Sequence, residues 1–309
     1  MSRVWRSSVN NQYYGQRSLG VYEAAAIMPT DITGVEAAAV LDEVVGRARP
    51  RYTLRGICRG IRMDSLTARI DLATALSGQE KVPPMVEAEV ASEAYSPVDF
   101  DLWKNVVHVV ISDEAAKKAA HDILGLHVED AARDLARMEN KQISEVAEAC
   151  TEKVSGTTYS DWGAMSTPPE SDTNPFTAIQ ASIEYLEGKG YVPDFMAMHP
   201  SVWGKFITNS YVKDLATSSI LTLGREGGQF TLPGYPTIRV VTDYSLTKTP
   251  TSTKGPLVGD SSAPALVLGE GPVEAARYRD EKAGYDAYVI RQYLEPKLVI
   301  DDAIDKICT

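Results

Sequence analysis

The stretch VDFDLWKNVVHVVISDEAAKK, residues 98–118, runs from a long extended segment straight into a helix. Val98 to Ser112 has the aromatic and β-branched content of a strand. Ser112 is a good helix cap, and Asp113 and Glu114 follow where the helix dipole favours acids. Ala116, Ala120, Ile123, Leu124, Val128, Ala131, Leu135, Met138, Val146 and Cys150 then trace one apolar stripe. The spacing predicts a helix to about Ser155, bent or interrupted at Gly125. At about 1.5 Å per residue, some 40 residues would span roughly 60 Å. A single helix of that length, without a strict heptad, points to a flat, extended subunit.

Upstream, Leu66, Ala68, Ile70, Leu72 and Leu76 alternate with Ser65, Thr67, Arg69, Asp71, Ala73 and Ser77, the period of a half-buried strand. SGQEKVPP at 77–84 is polar and turn-rich, and Val86, Ala88 and Val90 suit a returning strand. The result is a long hairpin with too few large apolar groups for a core of its own, so it packs on something outside its domain. Asp31 to Val45 reads as a short helix capped by Thr33, with Val35, Ala38, Ala39, Leu41, Asp42 and Val45 on one side, ended by Gly46 and Pro50. Residues 1–30 hold three tyrosines and no helical period; they read as an arm that lies on something else.

Downstream, 156–174 is loop, and PFTAIQASIEYLEGKG opens a helix at Pro175. A strand at Phe195–Met198, a short helix after Pro200, and strands at Thr237–Val241 and Ala265–Leu268 follow. The end of the chain, from Gly284, is extended again.

Over 309 residues the net charge is 31 − 42 = −11, which argues against a dedicated nucleic-acid reader. The charge is uneven. Residues 1–62 carry nine arginines and five acids, a net of +4, against −15 for the rest, a distribution that suits pairing between copies. No apolar run nears the ~18–20 residues of a membrane span, and the N-terminus lacks a signal-peptide core. Cys58, Cys150 and Cys308 are too scattered for a disulfide framework or a zinc site and are expected as free thiols. His108, His121, His127 and His199 form no metal motif. VLGEGPVEAA contains GxG after a strand, but Pro272 and Glu274 spoil a dinucleotide fingerprint. No catalytic constellation, cofactor site or metal site is expected.

The order of these elements resembles the tailed-phage major capsid proteins, the Hong Kong 97-like fold. Four segments carry the resemblance: residues 98–118; YVPDFMAMHPSVWGKF at 191–206; GQFTLPGYPTIRVV at 228–241; and EAARYRDEKAGYDAYVIRQYLEPKLVIDDAIDKI at 274–307. It spans about residues 30–309. It implies an α+β fold with an N-terminal arm (1–46), an extended hairpin loop with its return strand (47–105), a peripheral domain with a spine helix (106–174), an axial domain (175–274) and return strands (275–309). The implied function is a structural, non-enzymatic one. Hexamers and pentamers would form an icosahedral virion shell, built in the host cytoplasm around double-stranded DNA held without sequence specificity. A separate scaffold protein, a portal and a decoration protein are the implied partners. The initial Met favours a separate scaffold over a processed one.

The inter-subunit candidates are Gln79, Glu80 and Lys81 at the hairpin tip and Arg47, Arg49, Arg51, Arg55, Arg59 and Arg62 at its base. The arginines are expected to face acids on the next subunit in preference to DNA. One branch of the family joins subunits by a lysine–asparagine bond. Lys81 would be this loop's lysine, but no asparagine follows Asn209, so no such cross-link is expected. The alternative on the same fold is an encapsulin-like shell around a cargo enzyme. A soluble mixed-fold enzyme would instead require a compact particle with perturbed acids or histidines in a pocket.

Overall fold

The computed structural model describes residues 40–48, 51–73, 95–114, 123–158, 162, 175–217, 222–223, 229–231 and 237–308. The architecture is α+β. Five helices are described: α1 (40–48), α2 (Ile123–Glu148), α3 (Pro175–Gly188), α4 (Pro200–Thr208) and α5 (Ser210–Thr217). The strands are β1 (Arg59–Arg62), β2 (Thr67–Ala73), β3 (Tyr95–Asp101), β4 (Trp103–Ser112), β5 (Lys153–Thr158), β6 (Phe195–Met198), β7 (Thr222–Leu223), β8 (Gln229–Thr231), β9 (Ile238–Thr242), β10 (Leu257–Gly259), β11 (Leu266–Asp280), β12 (Tyr285–Leu298) and β13 (Ile304–Cys308).

Two compact units divide the described residues. The smaller draws on Met1–Arg49, Val106–Asp134 and Val273–Arg291. In it α1 buries Val40, Val44 and Ala48, a stripe four residues apart. The helix passes through Gly46 to residue 48, past the stop expected there, because Gly lowers helix stability without breaking the ladder. Its buried stripe is not the expected one: Asp42 is exposed and Leu41 half-buried. The part proposed for 31–39 lies outside the described residues. The β11–β12 turn closes with Gly284 at φ +62, its amide donating to the Asp280 carbonyl at 2.8 Å. Beside it Arg279 holds both oxygens of Asp113 at 2.7 and 3.1 Å and reaches Asp286 and Glu281.

The larger unit draws on Pro50–Asn105, Leu135–Pro272 and Gln292–Thr309. A seven-stranded mixed sheet, ordered β5-β13-β10-β6-β9-β8-β7, is its centre. The whole of β6 is buried because both faces of the sheet are covered. Met196, Met198, Val240, Val258 and Ile307 meet Ile179, Ile183 and Leu186 of α3 and Val202 and Phe206 of α4. Phe206 stacks on Trp203 at 5.1 Å and meets Trp162 and Phe176 edge-on. On the other face Phe195, Ala197, Leu257 and Ile304 meet Leu54, Ile57, Ile143, Ala147, Leu266, Leu268 and Leu294. A second sheet is ordered β1-β11-β12-β4, with β1 parallel to β11.

The helix after β4 differs from its sequence reading. Residues 113–114 are helical, 115–122 lie outside the described residues, and α2 is described over 26 residues, about 39 Å. It runs uninterrupted through Gly125 and ends at Glu148, not near Ser155. Residues 153–158 are instead strand β5, parallel to β13, a pairing that local sequence does not announce. After Leu135 the buried face becomes mixed: Glu139, Asn140, Ser144 and Glu148 are buried alongside Ile143 and Ala147, and Met138 is only half-buried.

The hairpin is present at its base. β2 and β3 form a two-stranded antiparallel sheet from Thr67↔Asp101 to Ala73↔Tyr95. The returning strand described is thus 95–101, taken from the start of the stretch quoted first. Val86, Ala88 and Val90 fall in 74–94, outside the described residues. Along β2 the expected alternation holds, with Ala68 and Ile70 half-buried between exposed Thr67, Arg69 and Asp71.

Candidate functional site

The root of the hairpin, residues 51–63, is anchored by a polar network unusual for so deep a position. Leu54 and Ile57 of a short 3-10 turn are buried in the core. Between them Arg55 reaches α2 and donates to both oxygens of Glu139 at 2.7 and 2.9 Å. Glu139 is fully buried and also accepts from Gln292 Nε2 of β12 at 2.8 Å. Arg55 covers the Tyr52 ring at 4.5 Å, and Glu270 of β11 lies 3.8 Å from it. Burial pushes the Glu139 carboxyl above its ordinary range; the bonds from Arg55 and Gln292 pull it back. Burial likewise pushes the neighbouring Tyr52 phenol and Cys58 thiol up to about 12.

The next residue of α2, Asn140, continues the clamp. Its Nδ2 donates to the Arg51 carbonyl at 3.0 Å and to Asp243 at 3.1 Å, and its Oδ1 accepts from the Leu54 amide. Thr53 also donates to Asp243. The hairpin root is therefore tied to a helix more than 80 residues away by groups that would be costly to leave unpaired.

The sequence-nominated residues separate into four groups. Gln79, Glu80, Lys81 and Arg49 lie outside the described residues. Arg47 is exposed on α1 and pairs with Glu43 at 2.6 Å, and Arg55 pairs with acids of its own chain. Arg51 is half-buried, its carbonyl bonded to Asn140. Arg59 and Arg62 are exposed on β1 and make no salt bridge among the described residues. Sequence reasoning missed Glu139 and Asn140 of α2 and Gln292 of β12, none of which it had singled out. Two adjacent polar residues on the apolar side of α2 were the available signal.

The GxG of VLGEGPVEAA lies inside the 15-residue strand β11. Its glycines serve close packing: a Cβ at Gly269 would meet Met63, Phe100 and Leu102 at 3.0–3.2 Å, and one at Gly271 would meet Leu102 and Tyr293 at 2.8–2.9 Å. Side chains of the hairpin root fill that space. Above them Met63, Phe100 and Val267, flanked by Ile61, Ala68, Ile70, Val98, Leu102 and Val299, form a small apolar cluster. A pocket of about 360 Å³ opens there, lined by Arg59, Gly60, Ile61, Ile70, Val98, Phe100, Pro264, Val267 and Val299.

Among the described residues no group of His, Cys, Asp and Glu could hold a metal, and no helix is long and apolar enough to cross a membrane. All three cysteines are free; Cys150 and Cys308 are buried. His199 caps α4, its Nδ1 accepting from the Ser201 amide at 3.0 Å. His108 meets the Tyr278 hydroxyl at 2.8 Å.

Comparison with known proteins gives one consistent answer. Solved structures with the same fold include a virus-like particle from Pyrococcus furiosus (TM-score 0.59, 10% identity, 88% of this chain and 99% of that one). The capsid of the cyanophage P-SCSP1u matches with TM-score 0.59 and 14% identity over 82% of this chain and 86% of that one. The capsid of a native GTA particle matches with TM-score 0.57 and 14% identity over 84% and 91%. No curated protein matches at the level of sequence. The phage capsid family matches residues 36–307, from α1's approach through β13. Over that span the resemblance read from the four sequence segments becomes an assignment: the chain belongs to the phage capsid family, as a capsid shell protein.

Proposed function

We propose that this chain is the major capsid protein of a tailed double-stranded DNA virus. In this reading hexamers and pentamers of it close an icosahedral shell around the genome. The observation that carries it is the family match over residues 36–307. The separate two-stranded hairpin supports it, since β2 and β3 form a sheet of their own. Its inner face packs on Met63 and Val267 of the same chain; a two-stranded ribbon gains most when its other face is covered too, and a neighbouring subunit is the natural cover in a closed lattice. Residues 1–46 are then the arm and 47–105 the extended loop. Residues 106–174 form a peripheral domain with α2 as its spine, 175–274 an axial domain that supplies five of the seven strands of the central sheet, and 275–309 the return strands. The role is structural, with no catalysis. Each contact is weak alone, and closed symmetry sums many of them.

The partners are further copies of the chain, a separate scaffold protein, a portal and a decoration protein, with DNA held without sequence readout. A net charge of −11 suits a wall that must not grip its contents. Assembly takes place in the host cytoplasm and the mature protein resides in the virion. Lys81 forms no isopeptide bond in this reading.

The alternative reading on the same fold is a cellular shell enclosing a cargo protein. Electron microscopy of the purified protein, with analysis of its contents, tests both. Closed shells or capsomer rings are expected, with nucleic acid inside or a scaffold-type protein. Shells holding an enzyme would select the alternative reading. A species that stays monomeric at high concentration with crowding agents would remove both.

A further inference from the structure

The hairpin root has two unlike faces. Phe100 and Leu102 turn into the apolar cluster, and Asp99, Asp101 and Trp103 alternate with them. Trp103 is 70% exposed. A side chain that size left in water is a strong candidate for an interface anchor. Just before it in the chain, the outward face of β2 and β3 carries Asp71, Asp99 and Asp101 against one arginine, Arg69. The other face holds the pocket of about 360 Å³, walled by Ile61, Ile70, Val98, Phe100, Val267 and Val299. That volume falls in the usual ~300–1,000 Å³ range of ligand pockets and accommodates a bicyclic ring. One basic side chain stands at its mouth: Arg59 lines it and is exposed.

We infer that Trp103 of one copy seats in this pocket on a second copy, with Asp99 and Asp101 of the first facing Arg59 of the second. An apolar knob and a matching pocket at different places on one chain make a head-to-tail contact. Such a contact closes into rings when the rotation allows. It supplies a specific use for Arg59, which makes no salt bridge among the described residues, and for an indole left largely in water. The inference rests on the shell reading.

Two experiments on the full chain test it. In the first, Trp103 is replaced by the photoreactive p-benzoylphenylalanine, and isotopically light and heavy subunits are mixed, assembled and irradiated. Mixed-isotope cross-links from residue 103 to peptides bearing Ile61, Ile70, Val98, Val267 or Val299 are expected. Cross-links confined to one copy, or mapping elsewhere such as residues 74–94, overturn it. In the second, Trp103→Ala should fold and melt as the parent does. It should need at least tenfold more protein to assemble, about 1.4 kcal/mol, with Trp103→Phe partly restoring assembly. Normal shells from Trp103→Ala would refute this contact and leave the shell reading standing. A parent chain that never associates would remove the shell reading, and this contact with it. A small apolar molecule or the hairpin tip found in the pocket of assembled particles also refutes it.

Discussion

Arg55→Ala isolates the clamp at the hairpin root. The substitution leaves the Glu139 carboxylate fully buried with only Gln292 donating to it. Removing one member of a buried ion pair costs about 3–5 kcal/mol. Because Arg55 is 35% exposed, solvent weakens the pair, and the low end, about 3 kcal/mol, is expected at pH 8. The loss should depend on pH in a defined direction. Burial already raises the Glu139 carboxyl, and loss of the guanidinium raises it further. The folded variant then takes up a proton while the unfolded chain, with an ordinary carboxyl near ~4.3, remains ionised. Stability relative to the parent should therefore recover as pH falls from 8 towards 5. Glu139→Gln added to Arg55→Ala removes the stranded charge and should restore part of the loss at pH 8. The assay is urea unfolding of unassembled subunits, followed by near-ultraviolet circular dichroism across that pH range. A loss below about 1 kcal/mol, a deficit that ignores pH, or a double variant as unstable as the single one would refute the account.

Deleting Ser77 to Pro84 should leave a folded subunit and weaken assembly, read by circular dichroism and sedimentation; unchanged shells would show that the hairpin is not a contact element. Phe206→Ala, at the centre of three aromatic contacts, should cost about 3–5 kcal/mol in the same urea assay. His199 is held below its ordinary pKa, by burial first and then by Lys248. The folded state thus resists protonation while the unfolded chain accepts it, so stability should fall as pH drops below about 6.5. His199→Asn keeps an acceptor for the Ser201 amide and should flatten that slope without losing the cap, worth about 1 kcal/mol. A variant that keeps the full slope would assign it to another group.

Periodicity was informative wherever the cover of an element is uniform along its length. β2 alternates by two, α3 opens at Pro175 as expected, and Phe195–Met198 is a strand whose continuous apolar run reflects a sheet buried on both sides. It failed where cover changes partway. The stripe of α2 reads as apolar to Cys150, yet below Leu135 the helix meets Arg55, Gln292 and Asp243, and buries Glu139 and Asn140 to satisfy them. Strand β5 has no alternation of its own; it exists because β13 offers an edge 150 residues on. Helix α5 was also missed, although Asn209 before it accepts from the Tyr211 amide and is a readable cap.

For the candidate site the division is similar. The arginine-rich stretch from Arg47 to Arg62 was legible, because charge is counted without a structure. Which arginine is satisfied internally was not. Arg55 and Arg59 are four residues apart in the same stretch. One meets a buried carboxylate on α2, and the other stands at the mouth of an apolar pocket. The sequence alone determined the order of elements and the family they resemble, because local patterning and turn chemistry act over a few residues. The tertiary structure decided which polar groups are buried, where the glycines of β11 let the hairpin root approach, and which large side chain is left in water. Those depend on what packs against each position, and the partners come from distant parts of the chain.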